Sequence, residues 1–111
     1  RLPPVSGQTT AQRLITLAHL YQEGQVSVLM ARTLDKLLAY EAEVCRAQLS
    51  QLQDDLVEFE QQYDLSSDEF YQCFQGGQTD DRMDYVEWAS LVQMRANLQK
   101  RLRLLTGEAQ V

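Results

Sequence analysis

Acidic side chains are the residues of this 111-residue sequence whose types and spacing come nearest to chemistry. Six of them could line a helical bundle and hold a pair of metal ions: Glu41, Glu43, Asp54, Asp55, Glu58 and Glu60. A di-metal carboxylate bundle also needs Glu-x-x-His motifs on two of its helices. The single histidine, His19, does not belong to such a motif. The pattern therefore predicts no metal and no other cofactor.

A second carboxylate group, between Asp80 and Trp88, resembles the end of a calcium-binding EF-hand loop. If Glu87 takes the twelfth position of that loop, Asp81 falls on the sixth position, where the sharp turn requires glycine. Asp84 and Glu87 also have the spacing of a capping box at a helix start, which explains both residues without calcium. No glycine-rich phosphate loop, nucleophile elbow or Cys/His cluster is present, so the sequence predicts a protein that is not an enzyme.

Charge is distributed unevenly along the chain, although the net charge is only −6. Residues 41–87 contain thirteen acidic and two basic side chains, a net charge of −11. Such a surface repels nucleic acids and membrane phosphates and attracts basic proteins. The basic run Lys100 to Arg103 is short, and it more often complements a helix end than binds nucleic acid. We expect no direct contact with nucleic acid or membrane. An ordinary solvated, salt-bridged helix face is the alternative explanation of the acidic block.

The longest pattern in the sequence is a heptad seam. Its members follow one another in steps of three and four residues: Leu38, Ala42, Cys45, Leu49, Leu52, Leu56, Phe59 and Tyr63. The seam predicts one long central helix, Ser27–Tyr63, that meets another helix in a coiled-coil-like contact. No run of about 18 apolar residues is present, which predicts a soluble chain.

Cap signals mark the two ends of a first helix that precedes the seam. A threonine at position 9 or 10 can cap this helix and Gly24 can end it, which predicts Thr10–Glu23 as helical. Its apolar stripe predicts a hairpin with the start of the long helix, through Val28, Leu29, Leu34, Leu37 and Leu38. Residues 1–8 contain paired prolines and no periodicity, and are predicted to be a disordered segment before a single helical domain, residues 9–111.

Two further cap signatures follow the long helix. Ser66 and Glu69 have capping-box spacing and predict a short corner helix, Ser67–Phe74. Asp84, with the glutamate three residues later, predicts a last helix, Asp84–Leu105. Apolar residues on either side of each cap have the spacing of hydrophobic staples: Leu65 with Phe70, and Met83 with Trp88.

The last helix is long enough to return antiparallel along the long helix from Tyr63 to Glu41. Its seam repeats the steps of three and four with one charged member: Trp88, Leu91, Arg95, Leu98, Leu102 and Leu105. The aromatic residues gather where the helices should meet, and predict a corner core: Phe59, Tyr63, Phe70, Tyr71, Phe74, Tyr85 and Trp88. A partly exposed aromatic anchor for a partner protein is the alternative.

The two cysteines, Cys45 and Cys73, are too few and too far apart in sequence for a disulfide framework or a metal site. Cys45 lies on the heptad seam, which predicts a buried thiol. This usage suits a reducing compartment, and we expect a cytoplasmic protein.

Four stretches of the sequence resemble a known group of proteins: Leu20–Gly24, Leu34–Glu41, Phe59–Tyr71 and Met83–Trp88. They include the signatures Phe-x-x-x-Tyr, Ser-Ser-x-Glu-Phe and Met-Asp-x-x-Glu-Trp. The group consists of small, largely uncharacterised helical proteins of cyanobacteria and archaea, often found beside a predicted toxin in toxin–antitoxin gene pairs. The resemblance implies an antitoxin-like coiled-coil protein that binds a partner.

The charge pattern and the resemblance together favour a protein-binding helical module, in which the acidic long helix occupies the basic groove of a small nuclease-type toxin. The expected partner-binding residues are Asp54, Asp55, Leu56, Glu58, Phe59, Glu60 and Asp64. A homodimer formed through the exposed part of the long helix is also expected. The alternatives are a structural or scaffolding coiled-coil homodimer without enzymatic activity and, among enzymes, a metal-carboxylate bundle.

Overall fold

A computed structural model describes residues 8–108 of the chain. Within this range four helices follow one another: α1 (Thr10–Gln22), α2 (Val28–Tyr63), α3 (Ser67–Gln75) and α4 (Met83–Thr106). The predicted all-α fold with one long central helix is confirmed. The chain divides into two compact units, residues 1–36 and residues 37–111. The predicted disordered segment lies almost wholly outside the described residues, and the single domain over residues 9–111 stays a prediction.

The first unit contains α1 and the start of α2, and the predicted ends of its helices are confirmed to within one residue. Thr9 caps α1 with a complete capping box: its hydroxyl accepts from the Gln12 amide at 3.1 Å, and the Gln12 side chain accepts from the Thr9 amide at 2.8 Å. Gly24 follows α1 with φ +67°, a conformation that glycine adopts without strain. The Ser27 hydroxyl accepts from the Met30 amide at 3.1 Å and caps α2.

The packing predicted for the first unit is wrong in part. No side chain of α1 is buried, and Val28 and Leu29 of α2 are 68% and 75% exposed. The partly covered face of α2 is instead formed by Met30, Ala31 and Leu34. Leu34 follows Ala31 by three residues and Met30 by four, so the three side chains share one side of the helix. Val28 and Leu29 point away from that side, so the apolar stripe read from the sequence is wider than the face that packs.

The second unit is built on an antiparallel pair of helices, as the sequence predicts. Three side-chain contacts fix the direction and register of α4 along α2: Tyr63 with Asp84, the Cys45 thiol with the Leu98 carbonyl, and Arg101 with Glu41. The heptad seam faces α4 over most of its length, with Ala42, Cys45, Leu52 and Leu56 buried. Only its first residue, Leu38, is substantially exposed, at 39%.

One buried cluster forms the core of the second unit: Leu52, Leu56, Phe70, Trp88, Ala89 and Val92. It draws on α2, α3 and α4 at the corner where these helices meet. Phe70 and Trp88 stack at its centre with ring centroids 3.9 Å apart. Since burying a large apolar side chain contributes about 1.5–3 kcal/mol each, this corner is the main source of stability in the unit.

The turn from α2 into α3 largely follows its predicted signals. The Ser66 hydroxyl accepts from the Glu69 amide at 3.1 Å, and the Glu69 carboxylate accepts from the same hydroxyl at 3.2 Å. Leu65 packs on the core and Phe70 is buried, which confirms the staple. α2 ends at Tyr63, and the next residue, Asp64, adopts φ 51°, a left-handed conformation that the short polar side chain of Asp tolerates better than most.

The start of α4 differs from the prediction. The helix begins at Met83, and its N-cap residue, Arg82, makes no side-chain capping hydrogen bond. Asp84 lies inside the first turn, where its carboxylate accepts from the Tyr63 hydroxyl. Met83 is 78% exposed, so the predicted cap at Asp84 and the staple at Met83 are both wrong. The local spacing was misleading because the partner of Asp84 lies on another helix.

Candidate protein-binding surface

Basic side chains neutralise part of the acidic block. Four ion pairs occur in the described part of the chain: Glu41 with Arg101, Glu43 with Arg46, Asp68 with Arg95, and Asp80 with Arg82. Arg95, the charged member of the α4 seam, reaches Asp68 of α3 at 2.7 Å and is 19% exposed. Its discordant position in the sequence pattern is therefore explained by an ion pair between helices rather than by a partner protein.

Three of the seven predicted partner-binding residues make contacts within the fold itself. Leu56 is completely buried, and Phe59 stacks on Trp88 with centroids 5.6 Å apart. Glu60 accepts from the Ser67 amide at 2.8 Å. It thus satisfies a backbone donor at the start of α3, where helices leave N–H groups unpaired. In the folded chain these residues support the acidic surface, and Leu56 has no area to offer a partner.

The other four predicted residues remain at the surface. Asp54 and Glu58 are exposed and lie four residues apart, so they share one side of α2. Asp64 is exposed at the end of the same helix, and Asp55 is half-buried and accepts from the Gln51 amide group at 3.3 Å. In residues 8–108 none of these four carboxylates pairs with a basic side chain. They leave an uncompensated acidic surface along the last three turns of α2.

The aromatic corner is built as a core. The Trp88 indole N–H donates to the Ser67 hydroxyl at 3.0 Å, and both residues are buried. The Tyr63 ring stacks on the indole with centroids 5.7 Å apart, and the Tyr85 ring meets Tyr63 edge-on at 5.2 Å. Because its one polar atom has a partner, the indole is buried without an unsatisfied donor.

Hydrogen bonds beside the corner shift the pKa values of Asp80 and Tyr63. A fork from Arg82 to Asp80, with contacts of 2.8 and 2.9 Å, lowers the pKa of that carboxyl to about 2. The Arg82 guanidinium also lies 4.6 Å from the ring centre of Tyr85. The hydrogen bond from Tyr63 to the Asp84 carboxylate raises the pKa of the Tyr63 phenol. The Tyr63–Asp84 hydrogen bond joins the end of α2 to the first turn of α4, and the Asp80–Arg82 pair lies within the loop before α4.

Two depressions open on the α4 side of the second unit. A groove of about 440 Å³ between α2 and α4 is lined by Gln48, Gln51, Leu52, Asp55, Leu91, Met94, Asn97 and Leu98. A second depression of about 470 Å³ between α3 and α4 contains the Asp68–Arg95 pair and has a more polar lining. The first depression is the more apolar of the two.

Groups suited to covalent or metal chemistry are scattered. Among residues 8–108, no three His, Cys, Asp or Glu side chains come together as metal ligands. His19 is exposed on α1, Cys45 is buried, Cys73 is half-buried, and both thiols are free. In the same range no helix has both the length and the apolar character to cross a membrane.

The chain was compared with protein-family models, with curated proteins and with solved structures, and none of the three comparisons finds a match.

The sequence did not indicate two features of this surface. Glu60 reads as one more acid of the exposed block, yet it caps α3. Arg95 reads as a core or interface position, yet it pairs with Asp68. The spacing from Glu60 to Ser67 crosses a helix end and a turn, which no single-helix periodicity describes. For the Asp68–Arg95 pair the sequence offered one signal, an acidic residue in the first turn of α3 and a basic residue on the seam of α4.

Proposed function

We propose that this chain is a cytoplasmic, non-enzymatic protein-binding module, antitoxin-like in character, that binds and neutralises a small basic nuclease-type protein. The observation that supports the proposal is the set of exposed carboxylates on the last turns of α2 that have no basic partner in residues 8–108. Asp54, Glu58 and Asp64 are its principal members. Leu56, Phe59 and Glu60 hold the helix that presents them.

The spacing of these carboxylates suits a groove made for phosphates. Along a helix that rises about 1.5 Å per residue, Asp54 and Asp64 are separated by about 15 Å. A nucleic-acid strand places one phosphate per about 3.4 Å of its axis, so this length corresponds to about four phosphates. Asp54 and Glu58 on one side of α2, with Asp64 just past its end, would take the place of the phosphates, and the opposite charges would speed association.

The test is capture from the native host lysate by three tagged forms of the protein. One form is the wild type, and the second combines Asp54→Asn, Glu58→Gln and Asp64→Asn. The control combines Glu23→Gln, Asp81→Asn and Glu108→Gln, which removes the same charge from exposed positions outside α2. We expect wild type and control to capture one basic protein and the α2 variant to lose it. Because exposed charges are screened by salt, capture should weaken between about 50 and about 300 mM NaCl.

Neutralisation is tested with the captured protein after purification. We expect wild type and control to inhibit its nuclease activity, and the α2 variant to inhibit much less. Capture of the same protein by all three forms, or of an acidic protein, would refute the electrostatic mechanism. Circular dichroism of the three forms checks that each is equally helical.

A structural homodimer without enzymatic activity is the second candidate function. The open apolar groove between α2 and α4 favours it, since a helical pair of this size leaves apolar surface to be covered by another chain. That function predicts a stable homodimer that captures no basic protein, so the same experiment separates the two candidates.

A further inference from the structure

The groove between α2 and α4 has four apolar side chains in its lining: Leu52, Leu91, Met94 and Leu98. Met94 lies between the other two members from α4 and is 50% exposed. The lining residues of α4 extend over seven positions, from Leu91 to Leu98, so the groove is about 10 Å long, or two helical turns. That length can accept the apolar side chains of one helix face at spacings of three and four residues.

Acidic side chains gather at the end of the groove that is nearer the aromatic corner. Asp55 is half-buried and belongs to the lining. Glu58 follows it by three residues on α2, and Glu87 precedes Leu91 by four residues on α4, so both continue the sides of the two helices that line the groove. The antiparallel register places Glu58 and Glu87 at nearly the same level. We call Asp55, Glu58 and Glu87 the acidic end of the groove.

The three carboxylates of the acidic end make no ion pair in the described part of the chain. Asp55 accepts a hydrogen bond from the Gln51 amide group, which is uncharged. Arg101 follows Leu98 by three residues at the other end of the groove, but Glu41 already pairs with it at 3.0 Å. The groove therefore has an excess of negative charge around its apolar lining.

We propose that this groove binds an amphipathic helix of the basic partner. Apolar side chains of that helix, spaced three and four residues apart, pack between α2 and α4, and its Lys or Arg side chains one turn further along meet the acidic end. The excess negative charge selects a basic occupant, because a second copy of this face would bring more acids than basic side chains to the groove. Glu58 also belongs to the acidic surface of α2, so the two surfaces are continuous. This inference rests on the proposed function, since it names the segment of the basic partner that is recognised.

The probe is a fluorescein-labelled synthetic helix of about 18 residues with an Ala and Gln background, leucines at positions i, i+4 and i+7, and lysines at i+11 and i+14. One comparison peptide has glutamates in place of the lysines, and another has its leucines moved to different sides of the helix. Fluorescence anisotropy follows binding to the full chain, from about 1 to about 500 µM protein at about 50 mM salt. We expect saturable binding of the first peptide and none of the other two. A first peptide that does not bind, or a glutamate peptide that binds equally well, would overturn the proposal.

Two methionine variants locate the bound peptide. Met94→Lys places a charge within the apolar lining and should weaken binding of the first peptide about tenfold or more. Met83→Lys is the matched control, since Met83 lies on the same helix, is 78% exposed and is outside the groove. Circular dichroism checks that both variants are as helical as wild type. Equal binding by the two variants would place the peptide elsewhere and overturn the proposal.

A double variant tests the acidic end. Glu58→Gln with Glu87→Gln leaves the apolar lining intact and should weaken binding about threefold or more, as expected for the loss of two exposed charge contacts. Its control, Glu23→Gln with Asp81→Asn, removes the same charge from exposed positions outside the groove. Equal weakening by the two double variants would show that net charge, and not the acidic end, attracts the peptide, which contradicts the proposal.

Failure of this inference can be distinguished from failure of the proposed function. If Met94→Lys and Met83→Lys capture the basic protein from lysate equally well, the groove does not bind it, and the proposed function stands without this inference. If the peptide binds as expected and no basic protein is captured, the proposed function fails and the preference of the groove for a basic helix is supported. Sedimentation velocity without peptide tests the remaining occupant. A wild-type dimer that Met94→Lys dissociates, together with no peptide binding, would assign the groove to a second copy and overturn the proposal.

Discussion

The buried hydrogen bond between Trp88 and Ser67 allows a quantitative test of how the corner is held. Ser67→Ala removes the acceptor and leaves the indole N–H unpaired at a site where Trp88 has no exposed surface. An unsatisfied buried donor costs about 1–3 kcal/mol, so Ser67→Ala should lower the free energy of unfolding by about 1–3 kcal/mol. Trp88→Phe removes the donor and part of the ring, and should cost a similar amount or more.

The double variant distinguishes the hydrogen bond from general loss of packing. Once Trp88→Phe has removed the donor, Ser67→Ala no longer leaves an unpaired N–H. Its additional cost should then fall by about 1 kcal/mol or more, within the range of coupling found between contacting residues. The assay is urea unfolding of the four proteins followed by far-ultraviolet circular dichroism, because Trp88 is the only tryptophan and its substitution removes the fluorescence signal.

Ser90→Ala is the control, since Ser90 is exposed on α4 beside the same core and should change the free energy of unfolding by less than about 0.5 kcal/mol. Two results would refute the reasoning. One is a Ser67→Ala cost as small as that of Ser90→Ala. The other is a purely additive cycle, which would mean that the indole N–H and the hydroxyl do not depend on each other.

Three further predictions concern the electrostatics around the corner. The pKa of Tyr63 is raised in the folded chain. The Tyr63 phenol therefore stabilises the fold below pH 10.0, its ordinary pKa, and this stabilisation is lost as the pH rises through the folded-state pKa. Tyr63→Phe should remove this alkaline loss of stability in urea melts at a series of pH values. The pKa of Asp80 is lowered to about 2. The Asp80 carboxylate therefore stabilises the fold above pH 3.8, its ordinary pKa, and this stabilisation is lost as the pH falls toward about 2. Asp80→Asn should reduce this loss of stability at acid pH. Glu60→Gln weakens the charged acceptor at the start of α3, and should lower the free energy of unfolding by about 0.5–2 kcal/mol in a urea melt at pH 7.

Each of these predictions has a result that would contradict it. For the tyrosine it is an alkaline limb that survives Tyr63→Phe unchanged. For the aspartate it is a stability that falls equally in wild type and Asp80→Asn between pH 4 and about pH 2. For the glutamate the matched control is Glu58→Gln, an exposed change on the same helix, and an equal loss in both variants would show that Glu60 is no cap.

The sequence specified the helices well because their ends depend on neighbouring residues. Thr9, Ser27 and Ser66 cap helices through amides three positions away, and all three caps follow from residue type and spacing. The antiparallel return of α4 also followed, since a heptad seam must be covered and the return helix has matching length. Local chemistry and periodicity were sufficient for these features.

The candidate surface was harder to predict because it depends on which neighbour each charge finds. Asp84 has the spacing of a cap, but its carboxylate is taken by Tyr63, 21 residues away. Glu60 belongs to the acidic run, but its carboxylate accepts a hydrogen bond from the Ser67 amide at the start of α3. Leu56 was included with the acids around it, although the seam that it belongs to buries it completely. Composition shows that the stretch is acidic, and only the fold shows which acids remain free.

The antiparallel register also sets an order in which the second unit can assemble. The contact of Tyr63 with Asp84 joins residues 21 apart, that of Cys45 with Leu98 joins residues 53 apart, and that of Arg101 with Glu41 joins residues 60 apart. Since the entropy cost of closing a loop grows with its length, the aromatic corner should nucleate folding. Each contact then shortens the loop that the next must close, so α4 pairs with α2 from the corner outward. In reverse, the open end at Glu41 should exchange its amide hydrogens first and the corner last.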